Sequence, residues 1–430
     1  MKQRTLFRAT AIVAIAALGL GTLAACGGSD EASGSKTLNV TLANHVWTDA
    51  IKAEIPQFEK ETGLTVNVTQ LSEDQLADSY KVKLNAGSSD IDVMMYRPLQ
   101  VGKLFAKSSY FADLSDRVTK DKDWNWSDFQ PGPVSLTTYK DKVVGVPLIT
   151  ESEVLYYRKD LLQKAGLEVP KTMQDLEDAA KKIKEDNPGI AGFVSRSQAS
   201  AAVTQFSGFL YSFGGDWTDG NDKATIDSDA AKQAYDFYGK LLREYGPDQI
   251  STDMSWPEAM AIFQQGKAAF ETDASSLADN LLDPSKSKVA DNVGVAPFPA
   301  GPAGAKPYNV ASWALAINAN SKNQDNAWKF ITWATSPEMT LAMQKKGTPS
   351  ARTSVWDNPD STAGLADDLV AAIAANSKTG VGKDRPLVVN VAQAREVVGA
   401  PIVAAITGGD SAASADDANK KFQQILDSEK

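Results

Sequence analysis

The feature that most constrains the fold is a change of apolar periodicity that occurs twice between residues 38 and 68. Apolar and polar side chains alternate over residues 38–42 and again over residues 64–68, as they do in half-buried strands. Between them, Ile51, Ile55 and Phe58 recur at the spacing of one helix face. A strand, a helix and a second strand in this order form a βαβ unit with parallel strands. The chain is therefore predicted to be an α/β protein with an open sheet.

Ligand-binding residues are expected where the strands of this sheet end. A third strand is predicted over residues 91–95, after a polar helix over residues 73–84. In open α/β sheets, ligands bind outside the carboxyl ends of the strands. The residues that follow the first and third predicted strands are candidate ligand contacts: Asn44, His45, Trp47, Tyr96 and Arg97.

The stretch from Tyr139 to Leu162 contains two apolar runs that are separated by a polar break. The runs cover residues 142–148 and 154–157, and the break between them contains Glu151 and Glu153. Burying such carboxylates without partners would cost several kcal/mol or shift their pKa values. The break is therefore either a solvated turn or a crossing beside a ligand cleft, and this stretch alone leaves both interpretations open.

Further candidates lie beside predicted strand ends and loops in the rest of the chain. Predicted strands over residues 190–194 and 267–272 run into polar residues, and an apolar strand over residues 309–317 carries a tryptophan. The tail from Asp384 is predicted to be helical. Aromatic rings stack on the C–H faces of sugars, and charged side chains bond strongly to hydroxyl groups. The candidate ligand contacts in these regions are Arg196, Trp217, Asp273, Trp313 and Arg352.

Charge and motif content argue against several classes of function. The chain has a net charge of -10 and no basic stripe, whereas binding to nucleic acid rests on clustered cations. A single histidine excludes a histidine-rich zinc site, and the G-x-S-x-G and H-E-x-x-H motifs do not occur. We therefore expect no nucleic acid, metal or cofactor. Glu151 with Asp273 or Glu153 could form a glycosidase pair, but spacing in sequence does not give the separation in space that this chemistry needs.

The N-terminus has the features of a bacterial export signal. Lys2, Arg4 and Arg8 precede an apolar run over residues 9–25, which is shorter than the roughly 20 residues of a membrane-spanning helix. The run ends in LAAC, followed by two glycines, and this motif resembles the lipobox of bacterial lipoproteins. The cysteine, Cys26, is the only one in the chain, so no disulfide can form within one copy. We expect a signal peptide over residues 1–25, lipidation of Cys26 and a flexible tether over residues 26–36.

Several blocks of the chain, in order, resemble family 1 extracellular solute-binding proteins, the sugar-capturing lipoproteins of ABC importers. The blocks are KDKVVGVPLITESEVLYYRKDLLQKAGLEVPKT, EAMAIFQQGKAAFETDA, VGVAPFPAGPAGAK, SWALAINANSKNQDNAWKFITWATSPEM and GTPSARTSV. Their order and spacing are far more specific than any single motif. Within the family, the blocks are most similar to those of sorbitol- and mannitol-binding proteins.

The resemblance implies a type II periplasmic-binding-protein-like fold, with open sheets flanked by helices and several hinge crossings beside a cleft. It implies an N-terminal lobe of residues 37–148 and 309–347 and a C-terminal lobe of residues 149–308 and 348–430. The lobes of such a protein close around a ligand by a hinge motion. It also implies a monomer without enzymatic activity or cofactor, lipid-anchored at the extracellular face of the bacterial cell membrane. Its partners would be ABC transporter permease subunits.

The same resemblance assigns roles to individual residues. Glu151 stands where a maltose-binding relative has a ligand-contacting glutamate, and Tyr96 falls on its cleft tryptophan. Asp273 takes the place of an asparagine, and the two serines after Ala274 replace a proline and a stacking tryptophan. Arg196 matches an arginine of the polyol-binding group. That group has a serine or a hydrophobic residue in place of Glu153.

The resulting hypothesis is capture of a sugar alcohol or a small sugar between two lobes. Glu151 and Asp273 would accept hydrogen bonds from hydroxyl groups, Arg196 and Arg97 would donate them, and one aromatic candidate would stack on the ligand. Three alternatives remain: the same scaffold binding a di- or oligosaccharide, an anchored glycan-active enzyme, and a cell-wall scaffold without a transport role.

Overall fold

The computed structural model describes residues 35–249 and 251–430. The predicted signal peptide, Cys26 and most of the tether lie outside these residues. Within the described part, no helix is both long enough and apolar enough to cross a membrane. The strands are β1 (Thr37–Ala43), β2 (Thr65–Leu71), β3 (Val93–Tyr96), β4 (Thr138–Tyr139), β5 (Lys142–Val143), β6 (Val146–Arg158), β7 (Ala191–Val194), β8 (Ala268–Ala274), β9 (Val293–Pro297) and β10 (Asn309–Ile317).

The α-helices pack on both faces of these strands. They are α1 (Val46–Thr62), α2 (Glu73–Asn85), α3 (Lys103–Lys107), α4 (Ser115–Lys120), α5 (Pro131–Leu136), α6 (Lys159–Ala165), α7 (Met173–Asp186), α8 (Ala199–Ser212), α9 (Asp229–Glu244), α10 (Trp256–Gln264), α11 (Ala278–Leu282), α12 (Gln324–Ala334), α13 (Pro337–Lys345), α14 (Thr353–Trp356), α15 (Pro359–Thr362), α16 (Asp367–Asn376), α17 (Val391–Thr407) and α18 (Ser411–Ser428).

Eight strands form one mixed sheet in the order β2-β1-β3-β10-β6-β8-β7, with β9 paired to β6 off this path. β1 is parallel to both β2 and β3, which confirms the predicted βαβ unit. β10 returns antiparallel between β3 and β6. The carboxyl ends of β1 and β3 therefore lie on the same side as the start of β10.

The predicted polar break at Glu151 and Glu153 is wrong, because β6 runs without interruption through both residues. The first half of β6 pairs with β10, and the second half pairs with β8 and β9. Residues far away in the sequence accept hydrogen bonds from the backbone of β6 here. Thr150 N donates to Pro349 O over 3.1 Å, and Glu153 N donates to Tyr308 O over 3.0 Å. Since every buried donor needs a partner, these bonds stabilise an extended crossing where the sequence favours a turn.

Two other predictions of secondary structure need correction. The apolar run over residues 142–148 is divided, because β5 forms a short hairpin with β4 before β6 begins. Gly145 lies at this division, where a Cβ atom would come within 2.4 Å of Tyr96 Oη. The tail is not helical from Asp384: its first helix begins at Val391, and the segment before it is irregular.

Two large apolar cores lie on either side of the β6 crossing, and we call the parts around them the N-terminal and C-terminal lobes. Residues of the first core include Trp47, Phe58, Tyr80, Phe105 and Phe330. Residues of the second include Phe206, Phe209, Tyr235, Tyr238 and Phe422. A third core, which includes Tyr156, Met260 and Phe263, contains residues of the second half of β6. The fold is therefore a two-lobe α/β architecture, as expected.

Candidate ligand-binding site

Glu151 lies in the middle of β6, where the strand leaves one lobe and enters the other. Its side chain is partly exposed, whereas its neighbours Thr150 and Ser152 are buried. Burial raises the pKa of Glu151 above its ordinary value, while the positive charges of Arg97 and Arg196 oppose the shift. A partly exposed glutamate that interacts with the charges of two guanidinium groups can accept hydrogen bonds from ligand hydroxyl groups.

A bidentate ion pair closes the carboxyl end of β8. Arg196 follows β7, and its Nη2 and Nε atoms lie 2.5 and 3.2 Å from the two oxygens of Asp273. Gln205 Nε2 donates a third hydrogen bond to Asp273 over 2.8 Å. Asp273 is fully buried, but Arg196 is partly exposed. Asp273 therefore orients Arg196, whose remaining donors can face a ligand.

A second acid and arginine pair comes from the segment before α17. Arg385 Nε donates to Asp384 over 2.6 Å, and Thr204 Oγ1 donates to the same carboxylate over 3.1 Å. Although burial opposes it, the charge of Arg385 lowers the pKa of Asp384, so Asp384 is ionised at neutral pH. Arg395 Nη2 bonds to Thr204 over 3.1 Å. Burial, followed by the charge of Arg385, lowers the pKa of Arg395 to about 9.

We call Glu151, Arg97 and the two buried ion pairs, with Thr204, Gln205, Tyr308 and Arg395, the charged cluster. An aromatic wall adjoins the charged cluster on the side of the N-terminal lobe. Trp313, on β10, is 7% exposed and belongs to the N-terminal core, but its ring reaches the cluster, because its centroid lies 5.9 Å from that of His45 and 5.8 Å from Arg97 Cζ. His45 caps α1 by accepting from Trp47 N over 3.0 Å. Burial lowers the pKa of His45, so that its imidazole is neutral at pH 7. Asn44 is exposed next to it, at the end of β1. A neutral wall of this kind suits the C–H face of a sugar.

Two more carboxyl groups are sealed inside the C-terminal lobe. Glu153 and Glu271 are fully buried, and within the described residues their side-chain oxygens have no hydrogen-bond partner. Burial and the charge of Asp273 raise the pKa values of both well above the ordinary value. Burial therefore favours the protonated, neutral form of both side chains. The site thus has one accessible acid, Glu151, between the two buried ion pairs.

Four candidates from the sequence lie outside this cluster. Trp47 and Tyr96 are buried in the N-terminal core, with Tyr96 packed on Phe111 at 4.5 Å. Trp217 is buried in the C-terminal core. The guanidinium of Arg352 is fully buried and bonds to Thr335 O, Trp124 O and Asp128, each within 3.0 Å. Arg352 ties loops together, since its donors are used by backbone and Asp128.

The sequence reasoning missed several residues of the cluster. They are Thr204, Gln205, Tyr308, Asp384, Arg385 and Arg395. One signal was available for the first two, because they are buried polar residues on α8, whose other buried residues are mostly apolar. The adjacent acid and base of KDRP in the tail were a second signal. These residues come together only through tertiary contacts, such as the one between Thr204 and Asp384, which are 180 positions apart in the sequence. A local sequence pattern does not contain information about such contacts.

Comparison with known proteins finds both a family profile and individual relatives that match this chain. The profile of the family of bacterial extracellular solute-binding proteins matches residues 44–340. A mannitol-binding protein of Pseudomonas aeruginosa is 34% identical over 218 residues, a match that spans 50% of each chain.

Solved structures of two solute-binding proteins match almost the whole described part. The maltose-bound MalE3 of T. maritima is 28% identical, covers 90% of this chain and 100% of its own, and has a TM-score of 0.69. A ribitol-bound protein of Agrobacterium radiobacter K84 is 26% identical, covers 90% of this chain and 98% of its own, and has a TM-score of 0.71.

Proposed function

Because the chain belongs to the family of bacterial extracellular solute-binding proteins, we propose that it captures a sugar alcohol or small sugar and delivers it to an ABC transporter permease. The observation that carries the proposal is the charged cluster where the two lobes meet. Glu151 accepts ligand hydroxyl groups there, Arg97 and Arg196 donate, and Trp313 stacks on the ligand. The mannitol- and ribitol-binding relatives support a polyol in particular.

The buried ion pairs favour binding over glycoside hydrolysis at this site. A glycosidase needs two carboxyl groups that both reach the scissile bond. Asp273 is buried and already accepts bonds from Arg196 and Gln205, and Glu153 is buried as well. Glu151 alone remains accessible, so the cluster has acceptors and donors for hydroxyl groups but lacks a second free acid. A di- or oligosaccharide on the same scaffold is the second candidate, supported by the maltose-bound relative.

We propose the lobe boundaries and the membrane attachment on the same basis. The N-terminal lobe comprises residues 37–148 and 309–347, and the C-terminal lobe residues 149–308 and 348–430. The composition of the two large cores supports this division. A lipid on Cys26, supported by the LAAC motif, holds a monomer at the extracellular face of the membrane.

A thermal-shift panel of mannitol, ribitol, glucose and maltose tests the proposed function. A ligand at about 100 times its Kd adds about 2.7 kcal/mol to the free energy of unfolding, so a cognate compound raises the Tm clearly. If none of these neutral carbohydrates raises the Tm, the proposed function is refuted.

The panel is repeated with Glu151→Gln, which keeps the shape of the side chain but removes its charge. A hydrogen bond to a charged group contributes about 1.5–3 kcal/mol, so Kd should rise by roughly tenfold to a hundredfold. Glu168→Gln, at an exposed position of the same residue type, is the matched control and should bind normally. Unchanged affinity in Glu151→Gln would remove Glu151 from the site.

A further inference from the structure

Beside the charged cluster lies a cavity of about 260 Å³ between residues of the two lobes, which we call the side cavity. Much of its wall is apolar and includes Leu99, Leu136, Trp217, Phe422 and Leu426. An apolar cavity of about 150 Å³ is large enough to hold a benzene ring. The side cavity therefore has room for an aryl group or a short alkyl chain.

Two segments of the chain contribute residues to both the side cavity and the charged cluster. Leu99 lines it two residues after Arg97, and Lys383 lines it immediately before Asp384. Leu99 also belongs to a small apolar group with Tyr308, whose hydroxyl lies 3.4 Å from Gln205 Nε2. A substituent on a ligand in the charged cluster is thus close to the cavity.

Three charged residues line the side cavity, the exposed Asp222 and two lysines, and both lysines are held in ion pairs. Lys103 Nζ lies 3.1 Å from Glu429, and Lys383 Nζ lies 2.8 Å from Asp216. Both lysines line the cavity, but their partners neutralise them. A phosphate or carboxylate would have to compete with these ion pairs, whereas a neutral apolar group would not.

An exposed leucine marks the edge of the side cavity. Leu387 is 40% exposed and is one of three large hydrophobic side chains exposed in the described part of the chain. It lines the cavity together with Val388, which is buried. An apolar group of a ligand in the cavity would remove part of the exposed Leu387 side chain from water, which is energetically favourable.

We propose that the side cavity is a subsite for a neutral aryl substituent carried by the sugar or polyol. The hydroxylated part of the ligand occupies the charged cluster, and its apolar part occupies the cavity. The subsite would extend the ligands of the site from bare sugars and polyols to their aryl ethers and glycosides. This inference rests on the proposed function, because the hydroxylated part needs the charged cluster.

Isothermal titration calorimetry with matched pairs of probes tests the subsite. The pairs are 1-O-methyl- and 1-O-benzyl-D-mannitol, and methyl and phenyl β-D-glucopyranoside. We expect the aryl member of a binding pair to have a Kd about tenfold lower or more, since a ring is removed from water. If the methyl forms bind and the aryl forms bind no better, the subsite is refuted while the proposed function stands. If a carbohydrate of the thermal-shift panel binds but no form of either pair does, the subsite alone is refuted, and if no carbohydrate of either set binds, both are refuted.

Leu387→Trp separates the side cavity from any other apolar contact. The larger side chain fills the edge of the cavity at an exposed position, so the aryl preference should disappear while the Kd of the methyl forms stays the same. Val82→Trp, at a residue 71% exposed on α2, is the control and should keep the preference. An aryl preference that survives in Leu387→Trp would overturn the assignment to this cavity.

Discussion

Glu151 and Glu153 are two residues apart on β6, yet their environments differ completely. Alternation along a strand places them on the same face, so local periodicity does not distinguish them. In the structure, Glu151 is partly exposed between Arg97 and Arg196. Glu153 is sealed by Gly208 of α8, where a Cβ atom would come within 2.0 Å of its carboxylate. The difference comes from a helix that packs on only one of the two positions, and local sequence does not contain that information.

Glu271 should make the stability of the protein depend on pH. Its pKa is raised well above the ordinary value, first by burial and then by the charge of Asp273, whereas the unfolded value is about 4.3. Folding therefore takes up a proton between these two values. The stabilisation is complete below about pH 4 and is lost, at about 1.4 kcal/mol per pH unit, as the pH rises through the window.

Glu271→Gln removes this titration and gives the measurement. Urea unfolding at pH 5, 6, 7 and 8 should show the variant gaining free energy of unfolding relative to the native chain as the pH rises. The unpaired amide contributes a constant offset, which leaves the slope unaffected. Glu168→Gln, at an exposed position, should give a flat difference. A flat difference for Glu271→Gln as well would mean that Glu271 is ionised in the folded protein.

At the scale of elements, α8 shows how a helix approaches the crossing strand closely. Gly208 lies in the middle of α8, against the second half of β6 and against Phe298. Glycine costs a helix about 1 kcal/mol relative to alanine, so its presence here follows from the lack of space. The absence of a side chain at Gly208 lets α8 pack directly on Glu153.

Gly208→Ala should destabilise the protein although it raises the helix propensity. The new methyl group meets Glu153 Oε2 and Phe298 Cζ at 2.0 and 2.9 Å. We expect a net loss of about 1–2 kcal/mol in the free energy of unfolding, because overpacking outweighs the propensity gain. Gly102→Ala is the control, since its nearest atoms lie 3.7 Å away, and it should be neutral. The measurement is thermal unfolding of both variants. A higher Tm for Gly208→Ala would contradict the packing argument.

The elements themselves were predictable where local periodicity determines them. The βαβ unit, which rests on the alternation of strand and helix periodicity, is confirmed. The continuity of β6 was not predictable, because its polar residues bond to Pro349 and Tyr308. The same limit applies to the site. Glu151, Arg196 and Asp273 were found at predicted strand ends or breaks, whereas the segment before α17 joins the cluster only through tertiary contacts.

At the scale of the whole molecule, the two lobes meet at a second place besides the β6 crossing. Lys103 and Lys107 on α3, in the N-terminal lobe, reach Glu429 just after α18. Lys103 Nζ also donates to Leu387 O over 3.0 Å. Glu429 is held by Val389 N and Asn390 N, at 2.6 and 3.2 Å. This contact joins surfaces that a hinge motion would separate, so it favours the arrangement in which the lobes touch.

Lys103→Met should therefore weaken ligand binding without touching the charged cluster. The ion pair is partly exposed, at 26% for Lys103 and 10% for Glu429, and such pairs contribute about 0.2–1 kcal/mol. A ligand that binds the closed form loses this contribution, and Kd should rise by about 1.5-fold to fivefold. The measurement is a tryptophan fluorescence titration with whichever panel carbohydrate raises the Tm most. High salt should reduce the difference between variant and native chain, because salt screens the pair.

Lys120→Met is the matched control, because Lys120 pairs with Asp116 within α4 over 3.0 Å and does not join the lobes. It should bind with native affinity at every salt concentration. Lys103→Met should also leave the midpoint of urea unfolding of the ligand-free protein nearly unchanged, since neither core loses a contact. An unchanged Kd in Lys103→Met would mean that closure does not depend on the contact between α3 and Glu429.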